Sequence, residues 1–290
     1  MAWLYPGFSF IYGVLCWDSA RTSRGGMALV ATLLLLPLAA ATQCDFILSS
    51  GFLCFSSHAG ALAALEERAV RPEAFVGTSS GALAASMLAA GLPAAEIQRE
   101  LGAQRPIRLL RPASRPWSGP VGTRALVSRL RDILPPTFAD CEFPLAVGVY
   151  DVRDKAREPQ LLTEGDLPLA VAASCAVPGI FQPVRIGERR YADGGAVDRT
   201  FVRAWRRWRP DRYAIVELVS KLQAGEYGPR DGFDAESSAD LLELRTPRAK
   251  ASFFSLGDFD GECVRAQAMA SAQLDSVVRG PQWTDVELVQ

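Results

Sequence analysis

Gly77-Thr78-Ser79-Ser80-Gly81 sets a serine between two glycines in the order Gly-x-Ser-x-Gly, after a short apolar run (73–77) and before an Ala/Leu-rich segment (80–91). A strand that turns sharply into a helix leaves the middle serine exposed, and the free N–H groups of the helix start favour negative charge there. A Cβ at Gly77 or Gly81 would crowd the adjoining strand and helix. The chemistry this suits is attack by Ser79 on a carbonyl. The same five residues also suit a plain strand end with Ser79 or Ser80 capping a helix.

A serine hydroxyl needs a base to take its proton. The chain has one histidine, His58, and it precedes Ser79, whereas the histidine of an α/β-hydrolase follows its serine. A Ser-His-Asp triad must therefore use His58. Otherwise the base is a carboxylate in surroundings apolar enough to raise its pKa, or the site is inactive. Asp193, in Arg190-Tyr191-Ala192-Asp193-Gly194-Gly195, is the candidate carboxylate, although Asp-Gly-Gly is also a common turn.

The elements that must position these residues alternate. Apolar runs at 45–50, 73–77, 144–152, 160–163 and 213–219 are expected as strands, and another strand leads from Arg189 into the Asp193 turn. Helices are expected over 59–69, 80–91, 93–101, 123–134, 166–174, 198–208 and 262–279, the last stopping at Gly280-Pro281. This order predicts an α/β fold with a mostly parallel central sheet flanked by helices. The Pro- and Arg-rich stretch 102–122 and the polar stretch 221–246 are expected as loops. The expected organisation is a leader or membrane-anchor segment at 1–43, a catalytic domain at 44–220, and a polar loop with a helical C-terminal extension at 221–290.

Composition narrows the function. The chain has 290 residues, is 49% hydrophobic and carries a net charge of −1, which excludes a basic nucleic-acid module. Six cysteines without a CxxC pair, together with one histidine, cannot build a His-based metal site or a zinc ribbon. Neither a metal nor a cofactor is called for, and Cys54 and Cys175 are expected as free, buried thiols. Residues 27–41, MALVATLLLLPLAAA, follow Arg21 and Arg24 and end in small residues, as a signal peptide does. That leader favours a secretory-pathway or membrane-associated location, with the cytoplasm as the alternative. The basic, Trp-bearing stretch Phe201–Arg209 suits either an anionic membrane surface or a helix with Trp205 and Trp208 packed inward. The loop around Trp117 suits either a cover over an acyl channel or a surface connection.

Several blocks together resemble the patatin-like phospholipase family. Gly77–Gly81 and Asp193-Gly194-Gly195 lie in the family's order, with Ala173-Ser174-Cys175-Ala176-Val177-Pro178-Gly179-Ile180-Phe181-Gln182-Pro183 between them. Phe143-Pro144-Leu145-Ala146 through Tyr150-Asp151 and Leu62 to Glu67 extend the likeness, which covers about 45–220. The resemblance implies a Ser-Asp dyad of Ser79 and Asp193 that cleaves fatty-acyl esters through an acyl-enzyme, without metal or cofactor. Its partner is a lipid ester, taken from a membrane or lipid-droplet surface. The oxyanion would be held by backbone N–H groups of Gly51, Phe52 and Ser80. The sequence departs from the family at this first turn, Ser49-Ser50-Gly51-Phe52-Leu53-Cys54, where one glycine remains and Cys54 stands at the family's arginine position. Gly51-Phe52-Leu53 and the following His58 resemble the animal triglyceride-lipase branch. The eroded turn motivates one alternative, a catalytically impaired lipid-binding scaffold; an acyltransferase on the same fold is another.

Overall fold

The computed structural model describes residues 44–103, 106–113, 116–220 and 240–278. The leader expected at 1–43, most of the polar stretch (221–239) and the Gly280-Pro281 stop lie outside the described residues.

Strand β1 (Cys44–Leu48) leads through a tight turn to helix α1 (Phe55–Glu67), and β2 (Phe75–Thr78) turns directly into α2 (Ser80–Ala89). Helix α3 (Ala94–Gly102) follows, then a loop with a two-residue pairing, β3 (Arg111–Pro112) and β4 (Val121–Gly122). Helix α4 (Arg124–Ile133) precedes the central strand β5 (Leu145–Asp151) and the short β6 (Gln160–Leu162). Helix α5 (Leu167–Ser174) begins at Asp166, whose carboxylate accepts the Leu169 N–H at 2.9 Å, with Pro168 in its first turn. β7 (Val184–Ile186) and β8 (Arg189–Asp193) form a hairpin, and α6 (Val202–Trp208), β9 (Tyr213–Val219), β10 (Leu241–Thr246) and α7 (Phe259–Val278) complete the order.

The large sheet runs β10-β9-β1-β2-β5-β8-β7, with β6 also on β5. From β10 to β5 every pairing is parallel; β6, β7 and β8 are antiparallel. Every residue of β1, β2 and β5 is buried, because helices cover both faces of a parallel sheet. The α/β sheet expected from the sequence is therefore present.

Three local expectations change. Residues 241–246, read as loop, form an edge strand: Leu241, Leu244 and Thr246 are buried, and Glu243 and Arg245 had masked the pattern. The helix expected from 198 begins at Val202, because the Asp198 carboxylate accepts the Thr200 and Phe201 N–H groups, both at 2.9 Å, and holds the chain in a turn. The α1 helix starts four residues earlier than expected, at Phe55.

The stretch Phe201–Arg209 packs inward. Trp205 is fully buried, and its Nε1–H donates to Asp45 Oδ2 at 2.8 Å. Arg209 donates twice to the same buried carboxylate, at 3.0 Å each. Helix α7 lies on α1 at Gly60, where a Cβ would come within 2.5 Å of the Cys263 carbonyl oxygen. Among the described residues no helix is long and apolar enough to cross a membrane.

Candidate active site

The site forms where β2 and β8 meet the same neighbour. Thr78 pairs with Gly148 of β5, and Asp193 pairs with the next residue, Val149. Ser79 follows Thr78 at the carboxyl end of its parallel strand, where ligands of such sheets bind. Its backbone sits at φ 55°, ψ −122°, a conformation that costs a non-glycine residue on the order of 1–3 kcal/mol and persists only when neighbours hold it.

Those neighbours are specific. The Ser79 N–H donates to Ser174 Oγ at 2.8 Å, and the Ser174 hydroxyl donates to the Gly148 carbonyl at 2.7 Å. The Cys175 thiol donates to the Ser79 carbonyl at 3.4 Å. Burial, helped by the nearby Asp193 charge, pushes that thiol's pKa well above its ordinary value, so it stays a donor. The glycines are demanded by contact: a Cβ at Gly77 would lie 2.5 Å from Ala82 Cα, and one at Gly81 would lie 2.4 Å from the Leu48 carbonyl oxygen.

Ser79 Oγ donates to Asp193 Oδ2 at 2.7 Å. Asp193 Oδ1 accepts the Gly195 N–H, also at 2.7 Å, which fixes the carboxylate's rotation. Gly194 and Gly195 have no room for side chains, since a Cβ would come within 2.6 Å of the Gly148 carbonyl oxygen and 2.2 Å of Ser50 Oγ respectively. Burial raises the Asp193 pKa to about 7, against the opposing pull of hydrogen bonds from Ser79 and Gly195. A carboxylate so tuned can take a proton from serine near neutral pH.

The turn before α1 differs from expectation in one atom. The Gly51 N–H donates to Ser80 Oγ at 3.1 Å, because the turn folds back onto the start of α2. Phe52 and Leu53 sit at positive φ, 31° and 59°. Their N–H groups donate to no protein acceptor among the described residues. Phe52, Leu53 and Ser80 all line the cleft beside Ser79.

Beside Ser79 opens a cleft walled by Leu83, Met87, Leu101, Leu126, Leu130 and Phe181. Its apolar lining suits a hydrocarbon chain. The Glu100–Arg129 ion pair also lies on the wall. The loop at 106–110 contributes Pro106, Leu109 and Leu110 to the cleft, whereas Trp117 faces solvent at 82% exposure.

His58 is fully buried and does not touch Ser79: its Nε2 lies 2.9 Å from Ser80 Oγ and its Nδ1 lies 3.0 Å from Glu217 Oε2. Cys54 and Cys175 are free thiols, the first buried and the second half-buried. Among the described residues no cluster of three or more His, Cys, Asp or Glu could hold a metal.

Residues 46–204 match the sequence model of the patatin-like phospholipase family, more than half of the chain. The chain belongs to the patatin-like phospholipase family. An uncharacterized NTE family protein of Mycobacterium tuberculosis and another of Mycobacterium bovis are each 29% identical to it over 153 residues, 52% of this chain and 42% of the relative. The chain thus matches less than half the length of these relatives. Its fold is similar to that of VipD from Legionella pneumophila, with a TM-score of 0.50 at 13% identity, over 82% of this chain and 68% of that one.

The block at 173–183 has a physical reading in this member of the family. Ser174 holds the Ser79 N–H, and the Ala176 carbonyl accepts the Asp193 N–H at 3.0 Å, so one segment fixes both halves of the pair. Sequence reasoning passed over Ser174 and Glu217 as site residues. Glu217 carried a usable signal, a lone acid inside the apolar strand Tyr-Ala-Ile-Val-Glu-Leu-Val.

Proposed function

We propose that the chain hydrolyses fatty-acyl esters of lipids through an acyl-enzyme on Ser79. The observation that carries this reading is the 2.7 Å hydrogen bond from Ser79 Oγ to a buried Asp193, at the floor of an apolar cleft. Asp193 takes the hydroxyl proton as Ser79 Oγ bonds to the ester carbonyl carbon. The carbonyl oxygen gains the negative charge beside the N–H groups of Phe52, Leu53 and Ser80. The alcohol leaves with the proton from Asp193. Water, deprotonated by Asp193, then splits the acyl-serine and restores the hydroxyl.

A fluorophosphonate probe followed by peptide mapping tests the reading. Labelling at Ser79, lost in Ser79→Ala, supports it; a folded protein that takes no label is the lipid-binding scaffold instead. Offering glycerol or a lysolipid beside water separates hydrolase from acyltransferase by the products formed. The apolar stretch at 27–41 supports a secretory-pathway or membrane-associated setting, which sequencing the mature N-terminus tests.

A further inference from the structure

We propose that His58, Glu217 and Thr246 form a buried brace that acts through the Ser80 hydroxyl to hold the Gly51–Leu53 turn in its oxyanion-binding shape. His58 is on this reading a positioning residue, not a base. The inference rests on Ser79 being the nucleophile.

The chain of contacts is continuous and sealed from water. Thr246 Oγ1 donates to Glu217 Oε1 at 2.5 Å, Glu217 Oε2 faces His58 Nδ1 at 3.0 Å, and His58 Nε2 faces Ser80 Oγ at 2.9 Å. His58, Glu217 and Thr246 have no exposed surface, and Ser80 has 3%. A carboxylate can only accept, so Nδ1 carries a proton, and in the neutral imidazole Nε2 then accepts the Ser80 hydroxyl. The Ser80 oxygen is then left to accept the Gly51 N–H at 3.1 Å. Each bond in such a chain polarises the next.

The turn needs an external hold. Phe52 and Leu53 both occupy positive φ without being glycines, a conformation that does not persist unless surrounding contacts impose it. On one side the Arg199 guanidinium donates to the Ser50 carbonyl at 3.1 Å. On the other, Ser80 holds Gly51, and the brace fixes the Ser80 rotamer. The elements enlisted come from across the domain: His58 from α1, Glu217 from β9 and Thr246 from β10.

Ser80, His58 and Glu217 have the outline of a Ser-His-acid triad, but the geometry points away from that use. The Ser80 oxygen already accepts the Gly51 N–H, and the Ser79 hydroxyl has its own base in Asp193.

The test uses a short water-soluble ester, the rate of fluorophosphonate labelling, peptide mapping and thermal melting on the full chain. Ser80→Ala keeps the His58–Glu217 pair and His58→Gln removes it. In each, kcat and the labelling rate fall about 100-fold, the lower end of the roughly 100- to 1,000-fold cost of losing an oxyanion donor. KM stays near the parent value, and the pH midpoint set by Asp193 does not move. Adding Leu53→Asn to His58→Gln recovers part of kcat, because asparagine adopts positive φ readily. Where His58→Gln melts without cooperativity, Ser80→Ala carries the test alone. A folded Ser80→Ala with parental kcat overturns the brace, as does label on Ser80 or a shifted pH midpoint. A wild-type protein that takes no label at Ser79 instead overturns the nucleophile reading.

Discussion

Ser79 and Asp193, 114 residues apart in the chain, meet at 2.7 Å because their strands flank a single strand, β5, and pair with its consecutive residues Gly148 and Val149. The serine arrives on the parallel side and the aspartate on the antiparallel side. Two strands that share one partner have their ends fixed by its register, and the segment at 174–176 then holds both residues in place.

Activity should follow the Asp193 carboxylate. Its pKa is raised to about 7 by burial, and the base works only when ionised, so activity is lost as pH falls through that value. The expected kcat/KM profile for a soluble ester climbs from acid pH and levels off above a midpoint near 7. A profile flat down to about pH 5 would assign the proton transfer to another group.

Ser79→Ala and Asp193→Asn should each lower kcat by about 10,000-fold, and the double variant should be little worse, because members of one catalytic unit are not additive. Hydrolysis of a chromogenic ester by the three purified variants checks this. Independent, multiplying losses would mean that the two residues act separately.

The same carboxylate should weaken the fold. Its value is raised from the ordinary 3.8 to about 7, so between these limits the folded chain binds more protons than the unfolded one. Its contribution to stability is therefore greatest in acid, falls as pH rises from about 4 to about 7, and is level above that. Asp193→Asn removes this titration. At about pH 8 it should be the more stable protein, by on the order of a few kcal/mol, with the difference shrinking towards pH 4. Melting curves at the two pH values read the effect, and a variant less stable than its parent at pH 8 contradicts it.

Thr78 presents a simpler case. Its hydroxyl oxygen is fully buried beside the elbow and has no hydrogen-bond partner among the described residues. Valine keeps the shape without the stranded polar group, so Thr78→Val should raise stability by about 1 kcal/mol. The midpoint of urea unfolding measures it, and a loss would reveal a hydrogen bond to water at this site.

Asp45 is the opposite. It accepts from Trp205 and twice from Arg209 while almost wholly buried. Asp45→Ala strands both donors and should cost about 3 kcal/mol or more, read from the same unfolding experiment. An unchanged midpoint would show that Arg209 finds equal compensation in Glu73, 3.6 Å away.

What the sequence disclosed, and what it withheld, follows from how local each constraint is. The elbow and the Asp-Gly-Gly turn were legible because Gly77, Gly81 and Gly194 lie against other backbone and Gly195 lies against the Ser50 side chain, so that only glycine fits at each. The alternation of elements likewise exposed the sheet. The 241–246 strand was not legible: as an edge strand it buries only Leu241, Leu244 and Thr246, so its other residues are free to be polar. The direction of the Gly51 N–H was hidden as well, since no residue type records where a backbone donor points. Glu217 was conspicuous, but its partner His58 is set by packing between distant elements.

The contact at Gly60 fixes how much of the chain makes one working unit. The helix it admits, α7, lies on the helix that carries His58, and β10 supplies Thr246. Both elements fall after residue 204, where the family likeness stops. A fragment trimmed to that likeness would keep Ser79 and Asp193, yet lose Glu217, the edge of the sheet and the cover over α1. The boundary of resemblance falls inside the packed sheet, and any excision or domain graft has to carry the elements beyond it.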